Sequence, residues 1–193
     1  MTREPAPRPE ESPGRGGPPA WLQERLFERR MVFVTGRLDD AVAARAAAEL
    51  MTLDATGDGP IELSLDSPDG TLEAAFVLID TLDLLRAPVR AHCRGQAGGP
   101  ALGVVAVADQ RSASPHASFR LAQPTVQLSG AADRLAAQSQ HHLDRLWRFE
   151  ARLAQATGRP PEEISRDMQR GRYLDAREAL AYGLIDAIRP PTP

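Results

Sequence analysis

Residues 89–100 read VRAHCRGQAGGP, a pattern that predicts a buried strand, Val89–Cys93, a tight glycine-rich turn and then a helix. Serine hydrolases use this strand–turn–helix geometry to present a nucleophile at a helix N-terminus. Here the turn carries Gly98 and Gly99, which have neither hydroxyl nor thiol. The next residue is Pro100, which has no backbone N–H to donate to an oxyanion. The segment therefore predicts an enzyme-like scaffold without its nucleophile.

The composition narrows the possible classes of protein. The chain has 193 residues, 42% of them hydrophobic, which predicts a single domain with a substantial core. A net charge of −3 with interspersed signs argues against a nucleic-acid partner, and no apolar run is long enough for a membrane span. The N-terminus lacks the apolar region of a signal peptide, so we expect a cytoplasmic protein.

Several kinds of chemistry are excluded or disfavoured by residue type. The single cysteine, Cys93, excludes an internal disulfide, and its apolar strand predicts a buried, inert thiol. The chain has no lysine, which excludes a Ser–Lys dyad and a Schiff base. No histidine and carboxylate set has metal-ligand spacing. We therefore expect neither a metal nor a cofactor.

Strands alternate with helices along most of the chain, which predicts an α/β fold with a largely parallel sheet. Residues 1–19, rich in proline, glycine and charge, predict a disordered N-terminal arm, residues 20–189 the folded domain and residues 190–193 a tail. The predicted elements are helix Ala20–Arg29, strand Met31–Thr35, helix Asp39–Leu53, strand Ile61–Leu65, helix Thr71–Leu85, strand Val89–Cys93, helix Pro100–Ala108, strands near Arg111–Ala113 and Ser118–Leu121, helices Ala131–Thr157, Pro161–Arg170 and Asp175–Tyr182, and strand Leu184–Ile188.

Five motifs follow one another in a characteristic order. They are FVTGRLDD at 33–40, DSPDG at 66–70, GQA at 95–97, FRLAQP at 119–124 and RYLDAREALAYGLID at 172–186. Together they resemble the proteolytic subunit of the Clp protease, although the last motif also occurs across the wider crotonase superfamily. The resemblance implies a ClpP/crotonase-like α/β fold, with repeated strand-strand-helix units and a protruding handle helix in a region of about residues 123–157.

Members of that family are serine peptidases that stack two seven-membered rings into a barrel fed by an ATP-driven unfoldase. The resemblance places Gly99, Ala122 and Gly171 where the family has its catalytic Ser, His and Asp. It places Asp69, Gly70 and Pro100 at the backbone positions of the oxyanion hole. These substitutions imply that the chain lacks the family's peptide hydrolysis, so we lean against an enzyme.

The resemblance also bears on assembly. Glu62 and Ser64, predicted on the wet face of their strand, stand where the family has aromatic residues that line a docking pocket for unfoldase loops. We therefore expect an AAA+ unfoldase to act on this chain only indirectly. The predicted handle helix carries Leu143, Leu146 and Phe149, and Arg170 matches the family's inter-ring arginine, which predicts oligomerisation through these residues.

Three functions remain open from the sequence. The first is a catalytically inactive subunit with a structural or regulatory role in a Clp protease barrel, assembled with itself or with active paralogous subunits. The second is a stand-alone homo-oligomer that binds peptides or a small ligand in the old active-site cleft. The third is a serine peptidase with displaced catalytic residues. The hydroxyls that remain for it are Ser67, Ser112, Ser114 and Ser129, and the imidazoles are His92, His116, His141 and His142.

Overall fold

The computed structural model describes residues 20–126 and 129–190, which alternate between strands and helices for most of their length. The helices are α1 (Ala20–Glu28), α2 (Asp40–Thr56), α3 (Leu72–Leu84), α4 (Ala101–Ala106), α5 (Ala132–Thr157), α6 (Pro161–Arg170) and α7 (Ala176–Tyr182). The strands are β1 (Met31–Thr35), β2 (Ile61–Ser67), β3 (Val89–Gly98), β4 (Gln110–Ala113), β5 (Ser118–Leu121), β6 (Arg172–Asp175) and β7 (Ala187–Ile188).

The strands form one sheet with a parallel path and a short branch. The path runs β1-β2-β3-β4-β7, and every pair along it is parallel. The branch consists of β5, which pairs in parallel with the far end of β3, and β6, which pairs antiparallel with β5. This arrangement confirms the predicted α/β fold with a largely parallel sheet.

Strand β3 is longer than the sequence predicted. It runs from Val89 to Gly98 rather than ending at Cys93. The reason is a change of partner, because the first half pairs with β4 whereas Gln96, Ala97 and Gly98 pair with β5. The predicted glycine-rich turn is therefore confined to Gly99 and Pro100.

Local capping explains where several helices begin. The carboxylate of Asp39 accepts the Val42 N–H at the start of α2, and the Thr71 hydroxyl accepts the Ala74 N–H at the start of α3. At α7, Asp175 caps the Glu178 N–H while the Glu178 side chain accepts the Asp175 N–H, which is a complete capping box. Each cap satisfies donors that the first helical turn leaves free.

The core lies between the strands and helices α2 to α7. Alternate strand residues such as Leu63, Ala91 and Cys93 are fully buried there. Phe149 of α5 is also fully buried, against Phe76 of α3 with an edge-to-face contact of 6.3 Å between ring centroids. The C-terminal half of α5 is thus part of the domain core.

Two sequence predictions differ from the structure at the C-terminal end, and others fall outside its description. β6 was not predicted, and β7 covers only Ala187–Ile188 of the expected strand Leu184–Ile188. The predicted disordered arm, residues 1–19, and residues 191–193 of the tail lie outside the described residues. None of the described helices is long and apolar enough to cross a bilayer.

Candidate functional site

The fold brings together the three positions that the sequence predicted to correspond to a catalytic triad. Gly99 follows β3, and its N–H donates to the Arg120 carbonyl of β5 at 2.9 Å. A Cβ built on Gly99 would lie 3.5 Å from the carbonyl oxygen of Ala122. Ala122 directly follows Leu121, which pairs with Arg172, the residue after Gly171. Residues 99, 122 and 171 therefore surround the end of the β3–β5–β6 branch.

The side chain of Asp69 occupies the space next to Gly99. A Cβ built on Gly99 would lie only 2.7 Å from Oδ1 of Asp69, well inside van der Waals contact. Two guanidinium groups hold the other carboxylate oxygen, since Arg37 lies 3.6 Å and Arg120 3.7 Å from Oδ2. The Asp69 side chain is 31% exposed, so neighbouring groups cover most of its surface.

Two of the three predicted oxyanion-hole positions, Gly70 and Pro100, offer no free N–H donor. The Gly70 N–H donates to Oδ1 of Asp69 at 2.8 Å, so this donor is not free for another ligand. Pro100 is buried at the start of α4 and has no N–H to donate. A carboxylate fixed beside a developing negative charge would also raise the energy of that charge.

A cleft of about 150 Å³ opens beside Asp69. Its walls come from the loop after β2, the far half of β3, and β5 and β6. The lining residues are Pro68, Asp69, Gln96, Ala97, Gly98, Ser118, Arg120 and Tyr173. Ser118 and Tyr173 provide hydroxyls, but this lining contains neither an imidazole nor a thiol to serve as a base or nucleophile.

The hydroxyl and imidazole groups considered for displaced catalysis lie apart from the cleft lining. Ser67 is buried and its hydroxyl donates to the Asp69 carbonyl at 3.0 Å. His92 of β3 contacts Ser112 Oγ through Nδ1 at 3.0 Å and Ser114 Oγ through Nε2 at 3.1 Å. The sequence alone does not reveal this pairing, which follows from the parallel register of His92 with Ser112.

The environment of His92 favours its neutral form. Burial lowers the pKa of the imidazole from its ordinary value of 6.5, and the positive charges of Arg189 and Arg94 lower it further, while Glu62 opposes them. Ser112 Oγ also lies 3.2 Å from the Ala91 carbonyl, to which it donates. The hydroxyl oxygen is thus free to accept a hydrogen bond from the Nδ1–H of His92, which fixes the tautomer with its proton on Nδ1.

The two predicted docking positions on β2 differ in their surroundings. Glu62 is partly exposed, with its carboxylate 3.4 Å from Arg90 and 3.8 Å from Arg189. Ser64 was expected on a wet face but is only 6% exposed. Its neighbours in the sheet are Phe33 and His92, so two larger side chains flank the small hydroxymethyl group.

The predicted oligomerisation residues divide into buried and exposed sets. Leu146 and Phe149 are buried within the domain, so packing against their own chain already covers their apolar surface. Leu143, 53% exposed, offers apolar surface on α5, and so does Trp147, 67% exposed and one helical turn further along. Arg170 is exposed at the C-terminal end of α6.

The thiol and the ionisable clusters suggest no other reactive centre. Burial raises the pKa of Cys93 to about 12, so this thiol remains protonated. No group of three histidine, cysteine, aspartate or glutamate side chains among the described residues is arranged to hold a metal ion. The cleft beside Asp69 is therefore the candidate site on which the functional argument depends.

Comparison with known families agrees with this arrangement of elements. A family model described as Clp protease matches residues 19–191 of the chain. The match spans the whole folded part, from α1 to β7, and includes the cleft, Asp69 and the three positions around Gly99. The chain therefore belongs to the Clp protease family.

Proposed function

We propose that this chain is a non-catalytic Clp subunit with a structural or regulatory role in a Clp protease barrel. The observation that carries the proposal is the position of Asp69. Its Oδ1 lies 2.7 Å from the site of a Cβ on residue 99 and 2.8 Å from the Gly70 nitrogen. One carboxylate thus fills both the space of a nucleophilic side chain and that of the oxyanion.

Peptide hydrolysis by serine proteases passes through a transition state in which an oxyanion develops. A single oxyanion-hole donor contributes about 3 kcal/mol to transition-state stabilisation in serine proteases. Here the Gly70 N–H already binds a carboxylate and Pro100 offers none. With glycine at positions 99 and 171 and alanine at 122, the three predicted triad positions supply neither a nucleophile nor a base. We infer that the cleft does not cleave peptides.

An inactive subunit is still able to assemble, and α5 offers a surface for assembly. The exposed pair Leu143 and Trp147 lies on the side of α5 that does not pack in the core. Solvent-exposed apolar side chains one turn apart on a long helix favour a partner surface. We propose that this surface contacts other Clp-like subunits, and that inclusion of the chain lowers the number of active sites in a mixed barrel.

The first experiment is to purify the tagged chain from its own cells and to measure its native mass and subunit content. A large complex that contains a second, triad-bearing Clp subunit would support the proposal, whereas a homogeneous species would reject the mixed barrel. Trp147→Glu should abolish co-purification. The matched control is Leu180→Glu, an exposed apolar residue on α7, which should leave co-purification unchanged.

A second experiment addresses catalysis separately. A fluorophosphonate probe reports nucleophilic serines, so the proposal expects no labelling of the pure native chain above that of the heat-denatured chain. Labelling that maps to Ser114 would favour the alternative of a displaced Ser–His pair, because His92 Nε2 lies 3.1 Å from that hydroxyl. Labelling of Ser118 would instead place activity in the cleft and overturn the proposal.

A ligand-binding role is the second candidate, and the open cleft favours it. Although Asp69 fills the space beside Gly99, about 150 Å³ remains, with Arg120 and Tyr173 on its walls. A guanidinium and a phenol suit the carbonyl and carboxylate groups of a peptide. Saturable binding of short peptides by a homo-oligomer, lost in Arg120→Ala, would favour this function over the mixed barrel.

A further inference from the structure

The face of the sheet opposite the core carries a row of arginines. On β3, the buried residues alternate with Arg90, His92 and Arg94, which point away from the core. Arg189 follows β7 and is fixed by its N–H, which donates to the Ala113 carbonyl of β4 at 2.9 Å. We call Arg90, Arg94 and Arg189 the arginine face.

The carboxylates on this face do not neutralise it. Glu62 is shared, since its carboxylate lies 3.4 Å from Arg90 and 3.8 Å from Arg189. Asp66, further along β2, accepts the Gln96 N–H at 2.9 Å through one of its oxygens. Three guanidinium groups against two carboxylates leave one positive charge in excess.

Of the three guanidinium groups of the arginine face, that of Arg94 is the most available for an ion pair with a ligand. Its guanidinium lies over the Phe33 ring, 4.9 Å from the centroid, and within the described part of the chain no carboxylate comes within 4.0 Å of it. Arg94 is exposed, and the side chain of Arg189 is 49% exposed. A guanidinium stacked on an aromatic ring keeps its in-plane N–H groups free to bind a carboxylate from solution.

The hydroxyls and the imidazole between these arginines form a fixed polar floor. His92 is held between Ser112 and Ser114, and the cationic groups around it, Arg94 and Arg189, oppose its protonation while Glu62 favours it. Positive side chains therefore lie around this polar floor. An apolar segment would have to desolvate Glu62, Arg189 and His92 to lie here, whereas an acidic segment would gain ion pairs.

We propose that the arginine face binds an acidic peptide segment of a partner protein, whose carboxylates pair with Arg90, Arg94 and Arg189. Arg90 and Arg94 are four strand residues apart, about 13 Å, which an extended peptide with acidic residues at alternate positions matches. A nucleic acid fits less well, because its continuous phosphates would also face Glu62 and Asp66. This inference does not depend on whether the cleft beside Asp69 is catalytic.

The test is the binding of a fluorescein-labelled peptide of alternating Glu and Gly to the full chain, followed by anisotropy. We expect saturable binding that weakens with added salt and is absent for the same peptide with Gln in place of Glu. Arg94→Gln with Arg189→Gln should weaken binding about tenfold, from the loss of two partly exposed ion pairs. The control, Arg166→Gln with Arg177→Gln, removes two exposed arginines of α6 and α7 and should leave affinity unchanged.

Several outcomes would overturn the proposal. Equal losses in both double variants would indicate attraction by overall charge, and tighter binding of an oligothymidine than of the acidic peptide would indicate a nucleic-acid site. A second readout uses the His92 imidazole, whose NMR titration should shift to higher pH when the acidic peptide binds, because carboxylates offset the charges of Arg94 and Arg189. An unchanged titration at saturating peptide would place the peptide elsewhere.

Discussion

Replacing Gly99 by alanine tests whether Asp69 fills the space of a side chain at position 99. Gly99 has φ +51, in the left-handed region, where a residue with a Cβ loses about 1 kcal/mol. The new Cβ would also lie 2.7 Å from Oδ1 of Asp69, so the carboxylate must move off the Gly70 N–H. Losing that hydrogen bond at a partly exposed carboxylate costs about 1 kcal/mol. We expect Gly99→Ala to lower the free energy of unfolding by about 2 kcal/mol.

A matched control separates the two contributions. Gly171 has φ +65 and no atom within 4 Å of a Cβ built on it, so Gly171→Ala carries only the backbone cost of about 1 kcal/mol. In an Asp69→Ala background, the loss of unfolding free energy caused by Gly99→Ala should also be only about 1 kcal/mol, because the carboxylate is gone. The double-mutant cycle therefore predicts a coupling energy of about 1 kcal/mol between residues 69 and 99.

The assay is urea unfolding at neutral pH, followed by far-ultraviolet circular dichroism, for the wild type and each variant. The steric argument fails if Gly99→Ala lowers the free energy of unfolding equally whether residue 69 is aspartate or alanine, because the carboxylate then does not occupy this space. That result would also weaken the proposal of a blocked cleft, because a serine at position 99 would then be accommodated without displacing Asp69.

Three further predictions concern other parts of the chain. Because burial raises the pKa of Cys93 to about 12, its thiol should react with Ellman's reagent only after denaturation, and rapid reaction of the native protein would contradict the burial. Hydrogen bonds from Arg111 hold the pKa of Asp186 below its usual 3.8, so the stability that wild type gains over Asp186→Asn should be present above pH 4 and disappear as pH falls further; an advantage that persists under acid in urea unfolding would refute this. Gly98→Ala would place a Cβ 2.1 Å from the Pro68 carbonyl oxygen, so the urea midpoint should fall by the equivalent of about 3 kcal/mol, and an unchanged midpoint would contradict that close approach.

Much of the fold was predictable because hydrophobic periodicity and capping residues act over short distances. Strands Met31–Thr35 and Ser118–Leu121 and helix Pro161–Arg170 were predicted with the bounds that the structure has. Asp39 and Thr71 marked the starts of α2 and α3 because their side chains accept N–H groups three residues ahead. Such signals need no knowledge of tertiary neighbours.

The elements that were missed depend on partners distant in sequence. β6 is a strand because Arg172–Asp175 pairs with β5, about fifty residues earlier, and nothing within those four residues requires an extended backbone. The second half of β3 likewise owes its strand conformation to Ser118–Arg120. Ser64 is buried by Phe33 and His92 from the two adjacent strands, so alternation alone wrongly predicted it on a wet face.

By itself, the sequence determined which chemical groups are available: no lysine, a single thiol, glycine at 99 and 171, alanine at 122 and proline at 100. Only the tertiary structure decided where the remaining charges act. It placed the Asp69 carboxylate between Gly70, Arg37 and Arg120, and it gathered Arg94 and Arg189 on one face of the sheet. The physical reason is that residue types fix what a side chain can donate or accept, whereas Coulomb and steric energies depend on distances that only strand register and packing set.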